Sequence, residues 1–410
     1  VNIASHKMID LARVMAIIAG VGLLYSPSVA TVALIAAYVA FLFSGEAVDR
    51  FRSVLARPLG VWGMIFLGMV VVAMAYATVP WRERWMDFYK WRVILWLFVG
   101  LALFDDARWK NRFLYMFLIG TGVAVVASWF STLSGISLWR GPQELLRNSG
   151  TQGMAFACAA LICVWLTREP KHLDVPPWVW PVLAALYMAN IVFITNSRSG
   201  YALLGCGLAV MLFSNASRAQ AVLGVVGLCL VGGLAYLASP RMQTIVDAGV
   251  EQWVTAEQSD HLTNFGSRRV FYQNSLEVLR EHWLLGVGTG GFAQAYGDHV
   301  TKKYDASDWR ALRTTDPHNQ YLAVWIQQGI AGLVLFLVWI AAIVRERESP
   351  RRYHQLAVAI LMGWCVTSLF SSHFRTFAEG HLLATFLGVL LAVELPSVAS
   401  RRDAEISRDL

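Results

Sequence analysis

The chain has 410 residues, 57% of them hydrophobic and only 15% charged. Soluble domains carry about 45–50% apolar and about 25% charged residues, so this composition excludes a disordered chain, a collagen and an ordinary cytosolic enzyme. The formal net charge of +7 comes with no Arg-rich tail, zinc knuckle or RNA-type aromatic motif, which sets nucleic acid aside and leaves the basic loops of a membrane protein as its source.

The apolar residues come in blocks of about twenty, the length that crosses a bilayer as a helix. Taken in order, the blocks predict spans at 9–25, 29–44, 59–78, 91–104, 112–134, 151–167, 179–195, 200–214, 220–238, 319–344, 355–372 and 378–395. The expected fold is an all-α integral membrane protein of about twelve transmembrane helices. Lys7 and Arg13 precede the first block and Ser28-Val-Ala30 resembles a cleavage site, but the block runs almost at once into the second, which favours an uncleaved span. Trp81, Trp85, Tyr89 and Trp91 stand where an interfacial aromatic belt belongs, beside the short fourth block. Cys158, Cys163, Cys206, Cys229 and Cys365 all fall inside apolar blocks without C-x-x-C spacing and are expected as small buried residues.

An even number of spans puts both termini on one side of the membrane. The loops on that side are the richer in Lys and Arg, including Arg50, Arg52, Arg57, Arg345, Arg347, Arg351 and Arg352, so the termini are expected in the cytoplasm. The chain then divides into nine spans over 1–238, an external loop over 239–317, and three spans with a cytoplasmic tail over 318–410. Within the loop, Met242 to Val254 has one apolar face at helical spacing, and Arg268 to Trp283 forms a second helix closed by the Gly-rich run 286–291.

Four places carry the polar chemistry. The turn Thr195-Asn-Ser-Arg198-Ser-Gly-Tyr201 holds one cation on the less basic side; a snorkelling Arg is the bland explanation, a held charge with a ligand the other. Gly266-Ser-Arg268-Arg269-Val-Phe-Tyr272 opens a helix with paired cations on the same external face. Gly286-Val-Gly288-Thr-Gly290-Gly291 satisfies G-x-G-x-x-G, yet no strand precedes it, so a tight turn with close backbone approach is the better reading than a dinucleotide site. Asp316-Pro-His318-Asn319-Gln-Tyr321 places an imidazole at the mouth of a span, either lining a helix end or serving as a general base. No metal-ligand spacing, Walker motif, D-x-D or nucleophile elbow accompanies them; His373, Glu379 and His381 have no strong precedent as a ligand set. Two guanidiniums match phosphate oxygens bidentately and stabilise a diphosphate leaving group without a divalent ion, while a neutral His accepts the proton of an attacking hydroxyl. The set suits glycosyl transfer from a lipid diphosphate to an alcohol.

At these residues the chain resembles the O-antigen ligase and polymerase superfamily of bacterial envelopes. The resemblance rests on Thr195-Asn-Ser-Arg-Ser-Gly200, on Arg268 four residues before Tyr272, and on His282-Trp-Leu-Leu-Gly-Val-Gly-Thr-Gly-Gly-Phe292. It continues through His318-Asn-Gln-Tyr-Leu322 and Gly329-Ile-Ala-Gly332, in family order over roughly 140–335. Trp283 stands where the family usually has proline, and 147–153 lacks the family's paired Asn. The resemblance implies a metal-independent, GT-C-like glycosyltransferase with no cofactor, acting at the periplasmic face of the inner membrane. Its donor would be O-antigen on undecaprenyl diphosphate and its acceptor the lipid A–core. It further implies that Arg198 and Arg268 bind the diphosphate and His318 is the base, with Arg269, Arg140, Arg147, Asn319, Tyr321 and Gly288 expected at the substrate. One large external loop and a short C-terminus favour the ligase over the superfamily's polymerases and protein O-oligosaccharyltransferases. A transporter would place its polar groups near mid-membrane in matching halves, and these lie at span ends.

Overall fold

The computed structural model describes residues 3–138, 144–169, 175–214, 216–256 and 262–394, and among them the regular elements are helical, with no strand. The first half of the bundle consists of α1 (Ile3–Tyr25), α2 (Pro27–Leu42), α3 (Ala47–Leu55), α4 (Pro58–Tyr76), α5 (Trp81–Tyr89), α6 (Arg92–Leu103) and α7 (Ala107–Ser134). Then come α8 (Ser149–Arg168), α9 (Val179–Phe193), α10 (Arg198–Phe213) and α11 (Arg218–Ala238). The former loop carries α12 (Pro240–Val254), α13 (Asn264–His282), α14 (Phe292–Lys303) and a 3₁₀ turn at Trp309–Ala311. The chain closes through α15 (Gln320–Val344), α16 (Arg351–Thr367) and α17 (Phe377–Leu391).

Every apolar block of the sequence falls on a helix, but the helices differ in length. Six (α1, α4, α7, α8, α11 and α15) are long and apolar enough to cross a membrane, and α2 with α3 makes a seventh if that pair, bent by 101°, counts as one span. Helices α9, α10 and α17 are shorter apolar helices. At 12 residues, α6 reaches only about 18 Å. The chain is thus an all-α membrane protein with six or seven such spans among the described residues.

Packing follows the side chains available. Helix α8 is small-residue rich and is buried from Thr151 to Cys163, with α9 on one flank and α10 on another. Gly153 of α8 meets Gly200 of α10 so closely that a Cβ on Gly200 would lie 3.0 Å from Gly153 Cα. By contrast α11 buries none of its residues, as expected of an apolar helix facing lipid.

Cations and helix termini are matched at one end of the bundle. Arg13 donates to Leu103 O, Arg50 to Ala102 O, Arg57 to Leu391 O, Lys110 to Ala392 O and Arg168 to Met211 O. These carbonyls lie at or just past helix C-termini, where they lack intrahelical partners and attract positive charge. Asp105 also pairs with Arg13 and Arg50, so this end is sealed.

The opposite end is built around a break. Helix α15 departs from helical geometry at Gly329, with φ 67 and ψ −172. A broken helix at membrane depth survives only where protein satisfies the freed backbone. The Gly-rich run does so: Val287 N donates to Ile326 O at 2.8 Å, Gly288 N to Gln327 O at 3.0 Å, and Ile330 N to Trp283 O at 3.1 Å. On its other flank Thr289 N donates to Ala73 O and Thr289 Oγ1 to Val70 O, which covers the C-terminal carbonyls of α4. Gly286, Gly288 and Gly290 have φ of 75, 82 and 88, the left-handed region that glycine enters without steric cost. The run is a wedge between α4 and α15.

Candidate active site

Three helix N-termini meet at the open end, each set by a capping side chain. Ser197 Oγ accepts from Gly200 N at 3.0 Å, Thr263 Oγ1 from Gly266 N at 3.1 Å, and Asn319 Oδ1 from Tyr321 N and Leu322 N at 2.9 and 3.0 Å. Such caps fix where a helix begins. Arg198 is therefore the first residue of α10, Arg268 lies in the first turns of α13, and His318 directly precedes the cap of α15.

The two guanidiniums share one aromatic ring. Arg198 lies 4.2 Å and Arg268 5.2 Å from the centroid of Phe265. Arg198 also donates through Nε and Nη2 to Ile245 O, at 3.0 and 2.7 Å. Among the described residues neither side chain forms an ion pair with a carboxylate. Two half-buried cations on one ring, without an anion, favour binding of an anionic group between them.

His318 is fixed at every point except its ring nitrogens. Its N–H donates to Asp316 Oδ1 at 2.8 Å, its carbonyl accepts from Tyr272 Oη at 3.0 Å, and its ring stacks on Phe271 with centroids 5.7 Å apart. The Asp-to-i+2 bond is the Asx-turn that Asp-Pro-His favours. His318 has φ 55, the one non-glycine residue in the left-handed region among those described. That conformation costs an L-residue about 1–2 kcal/mol, and such strain gathers where a side chain must be aimed. Burial lowers the His318 pKa from its ordinary value; Arg268 adds to the lowering and Asp316 opposes it. The imidazole is accordingly held toward its neutral form. Tyr272 shares its single hydroxyl proton between the His318 carbonyl and Leu369 O, the latter at 2.6 Å, and burial pushes its phenol up to about 12.

The remaining expected residues occupy several positions around this centre. Arg269 donates to Trp253 O and Val254 O and so ties α13 to the end of α12. Asn319 is the α15 cap. Tyr321 Oη donates to Cys365 O at 2.8 Å. Gly288 faces α4: a Cβ there would lie 2.5 Å from Ala77 Cα. Arg147 approaches Phe377, 6.0 Å from its ring centroid. Arg140 lies outside the described residues. Glu379 accepts from Thr151 Oγ1, and no group of three His, Cys, Asp or Glu side chains among the described residues is placed to hold a metal ion.

Sequence reasoning missed Phe265, Phe271 and the supporting part of Asp316. Phe265 sits three residues before Arg268, so its proximity to that side chain was available from helical spacing; its contact with Arg198, distant in sequence, was not. A cavity of about 320 Å³ opens beside Arg198, lined by Val246, Gly249, Trp253, Phe265 and Phe370. Its wall is apolar apart from the guanidinium, and Gly249 makes room for it, since a Cβ there would lie 3.0 Å from Arg198 Nη2. The arrangement suits a ligand with a greasy chain and an anionic head.

Residues 183–337 match the sequence profile of the family described as O-antigen ligase. This segment is an O-antigen ligase family domain. It runs from α9 into α15 and includes Arg198, Arg268 and His318. The chain is also similar to an uncharacterised protein of Haemophilus influenzae, with 23% identity over 141 residues. That match covers 32% of this chain and 33% of the relative, so the chain spans about a third of the length of the curated relative it matches.

Proposed function

We propose that this chain is an O-antigen ligase that transfers O-antigen polysaccharide from undecaprenyl diphosphate to a sugar hydroxyl of the lipid A–core. In this reading the shorter apolar helices also cross the inner membrane, giving about twelve spans with both termini in the cytoplasm. The centre formed by Arg198, Arg268 and His318 then faces the periplasm. The observation that carries the reading is the pair of guanidiniums on Phe265, without carboxylate partners among the described residues, with a neutral-leaning imidazole at the neighbouring helix end.

The chemistry follows from those groups. Arg198 and Arg268 hold the diphosphate of the donor, and the apolar cavity beside Arg198 takes the first isoprene units. His318 accepts the proton of the acceptor hydroxyl as its oxygen attacks the anomeric carbon. The bond from that carbon to the phosphate oxygen breaks, and undecaprenyl diphosphate leaves with the electron pair. The guanidiniums stabilise the growing negative charge, so the reaction proceeds without a divalent ion. Arg269, Asn319, Tyr321 and Gly288 support the substrate indirectly, through α12, the α15 cap and the wedge, while Arg147 and Arg140 contact the donor glycan.

The test is reconstitution of the purified chain in vesicles with undecaprenyl-diphosphate-linked glycan and lipid A–core. A new glycolipid on the core, formed equally in EDTA, is expected. Lengthening of the donor lipid alone would make the chain a polymerase, and no product in either channel would reject the transferase reading.

A further inference from the structure

Behind His318 runs a chain of alternating charges that no part of the proposed reaction uses. It starts on α5, where Asp87 accepts from Lys90 at 2.7 Å. Arg375, from the turn between α16 and α17, donates through Nη1 to both oxygens of Asp87 at 3.2 Å. Its Nη2 lies 3.6 Å from Asp316 Oδ2. The other oxygen of Asp316 accepts the His318 N–H at 2.8 Å and the Ser372 hydroxyl at 2.7 Å. Arg375 and Asp87 are almost fully buried, with side chains 2% and 9% exposed.

Such an array is expensive to bury for stability alone, since replacing a buried ion pair with apolar residues is often neutral or stabilising. What it does accomplish is geometric. The Asp316 carboxylate is divided: one oxygen faces a buried guanidinium, the other holds the amide of a residue in a strained backbone conformation. We infer that Arg375 and Asp316 are positioning residues for the His318 imidazole, with Asp87 anchoring Arg375. Arg375 aims the Asp316 carboxylate, Asp316 holds the left-handed turn at His318, and that turn sets the ring on Phe271. Without the clamp, residue 318 relaxes toward negative φ and the imidazole leaves the acceptor hydroxyl. The inference rests on the proposal that His318 is the base.

The experiment measures kcat and the donor KM for His318→Ala, Asp316→Ala, Asp316→Asn and Arg375→Ala in the reconstituted transfer assay. A misplacement of about 1 Å costs roughly 100-fold in rate. Asp316→Ala and Arg375→Ala are therefore expected to lower kcat about 100-fold with donor KM changed less than about twofold. Asp316→Asn retains an oxygen able to accept the His318 N–H and is expected to recover at least about tenfold over Asp316→Ala. Full activity of His318→Ala would remove the base itself and with it the proposed mechanism. An inactive His318→Ala beside parental kcat in Asp316→Ala or Arg375→Ala would overturn the positioning inference alone. So would a loss confined to KM, or an Asn variant no better than Ala. Should Arg375→Ala fail to accumulate in the membrane, the Asp316 pair decides the matter, because that side chain is 29% exposed and its removal disturbs the core less.

Discussion

The backbone of His318 yields a stability ranking that depends on chirality rather than on side-chain size. At φ 55 an L-residue bears about 1–2 kcal/mol that glycine does not. His318→Gly recovers this, but loses the stacking on Phe271, worth about 0.5–1.5 kcal/mol, and adds about 0.5–1 kcal/mol of unfolded-chain entropy. The three contributions nearly cancel, so the Gly variant is expected within about 1 kcal/mol of the parent although a half-buried ring has been deleted. His318→Val loses the same stacking while a β-branched residue fits the left-handed region worst. Set against the entropy that only Gly loses, it is expected about 1–2 kcal/mol below Gly. Thermal unfolding of the purified variants in one detergent at one scan rate gives the order. Transfer activity is expected to fall in both by about 10²–10⁴-fold, the usual contribution of a general base. A Val variant as stable as Gly would refute the strained backbone, and with it the argument that strain is retained here to aim the ring.

Two further expectations follow. His318 must be neutral to accept a proton, and burial with Arg268 lowers its pKa; kcat/KM therefore rises as pH climbs through that lowered pKa and is lost below it. The acid limb should have its midpoint under the ordinary value of about 6.5, and a midpoint above about 7 would contradict the burial argument. Gly288→Ala places a Cβ 2.5 Å from Ala77 Cα at φ 82, which should cost about 2–4 kcal/mol from backbone strain and overpacking. Membrane accumulation and thermal unfolding measure this, and an unaffected Ala variant would mean that the wedge does not seat as described.

What the sequence disclosed was mostly local. The helices were legible because apolar residues fall in blocks, and the blocks starting at 200 and 319 lie close to the observed starts of α10 and α15. The sequence reading starts α13 at Arg268, whereas the helix begins four residues earlier at Asn264, where Thr263 supplies the cap. The Gly-rich run was readable as a tight turn from composition, but not its seat, since the hydrogen bonds to Ala73 and Gln327 join distant stretches of chain. Block length alone does not fix span number: α6, α9 and α10 are short, and the aromatic stretch before α6 forms the separate helix α5. Nothing in the sequence singles out Arg375, because its partner Asp87 lies 288 residues away, and no periodicity announces such a pair. The contact of Phe265 with Arg198 is invisible for the same reason, arising only when α10 and α13 come together.

The wedge at Gly329 bears on how this architecture diversifies. A loop whose amides neutralise the severed ladder of α15 and the frayed terminus of α4 is keyed to both, so it is not a cassette. Transplanting another sequence's insert without the matching stretches of α4 and α15 would strand peptide groups in hydrocarbon, at several kcal/mol apiece. Acceptor preference in chimeras should therefore travel only with all three pieces exchanged together.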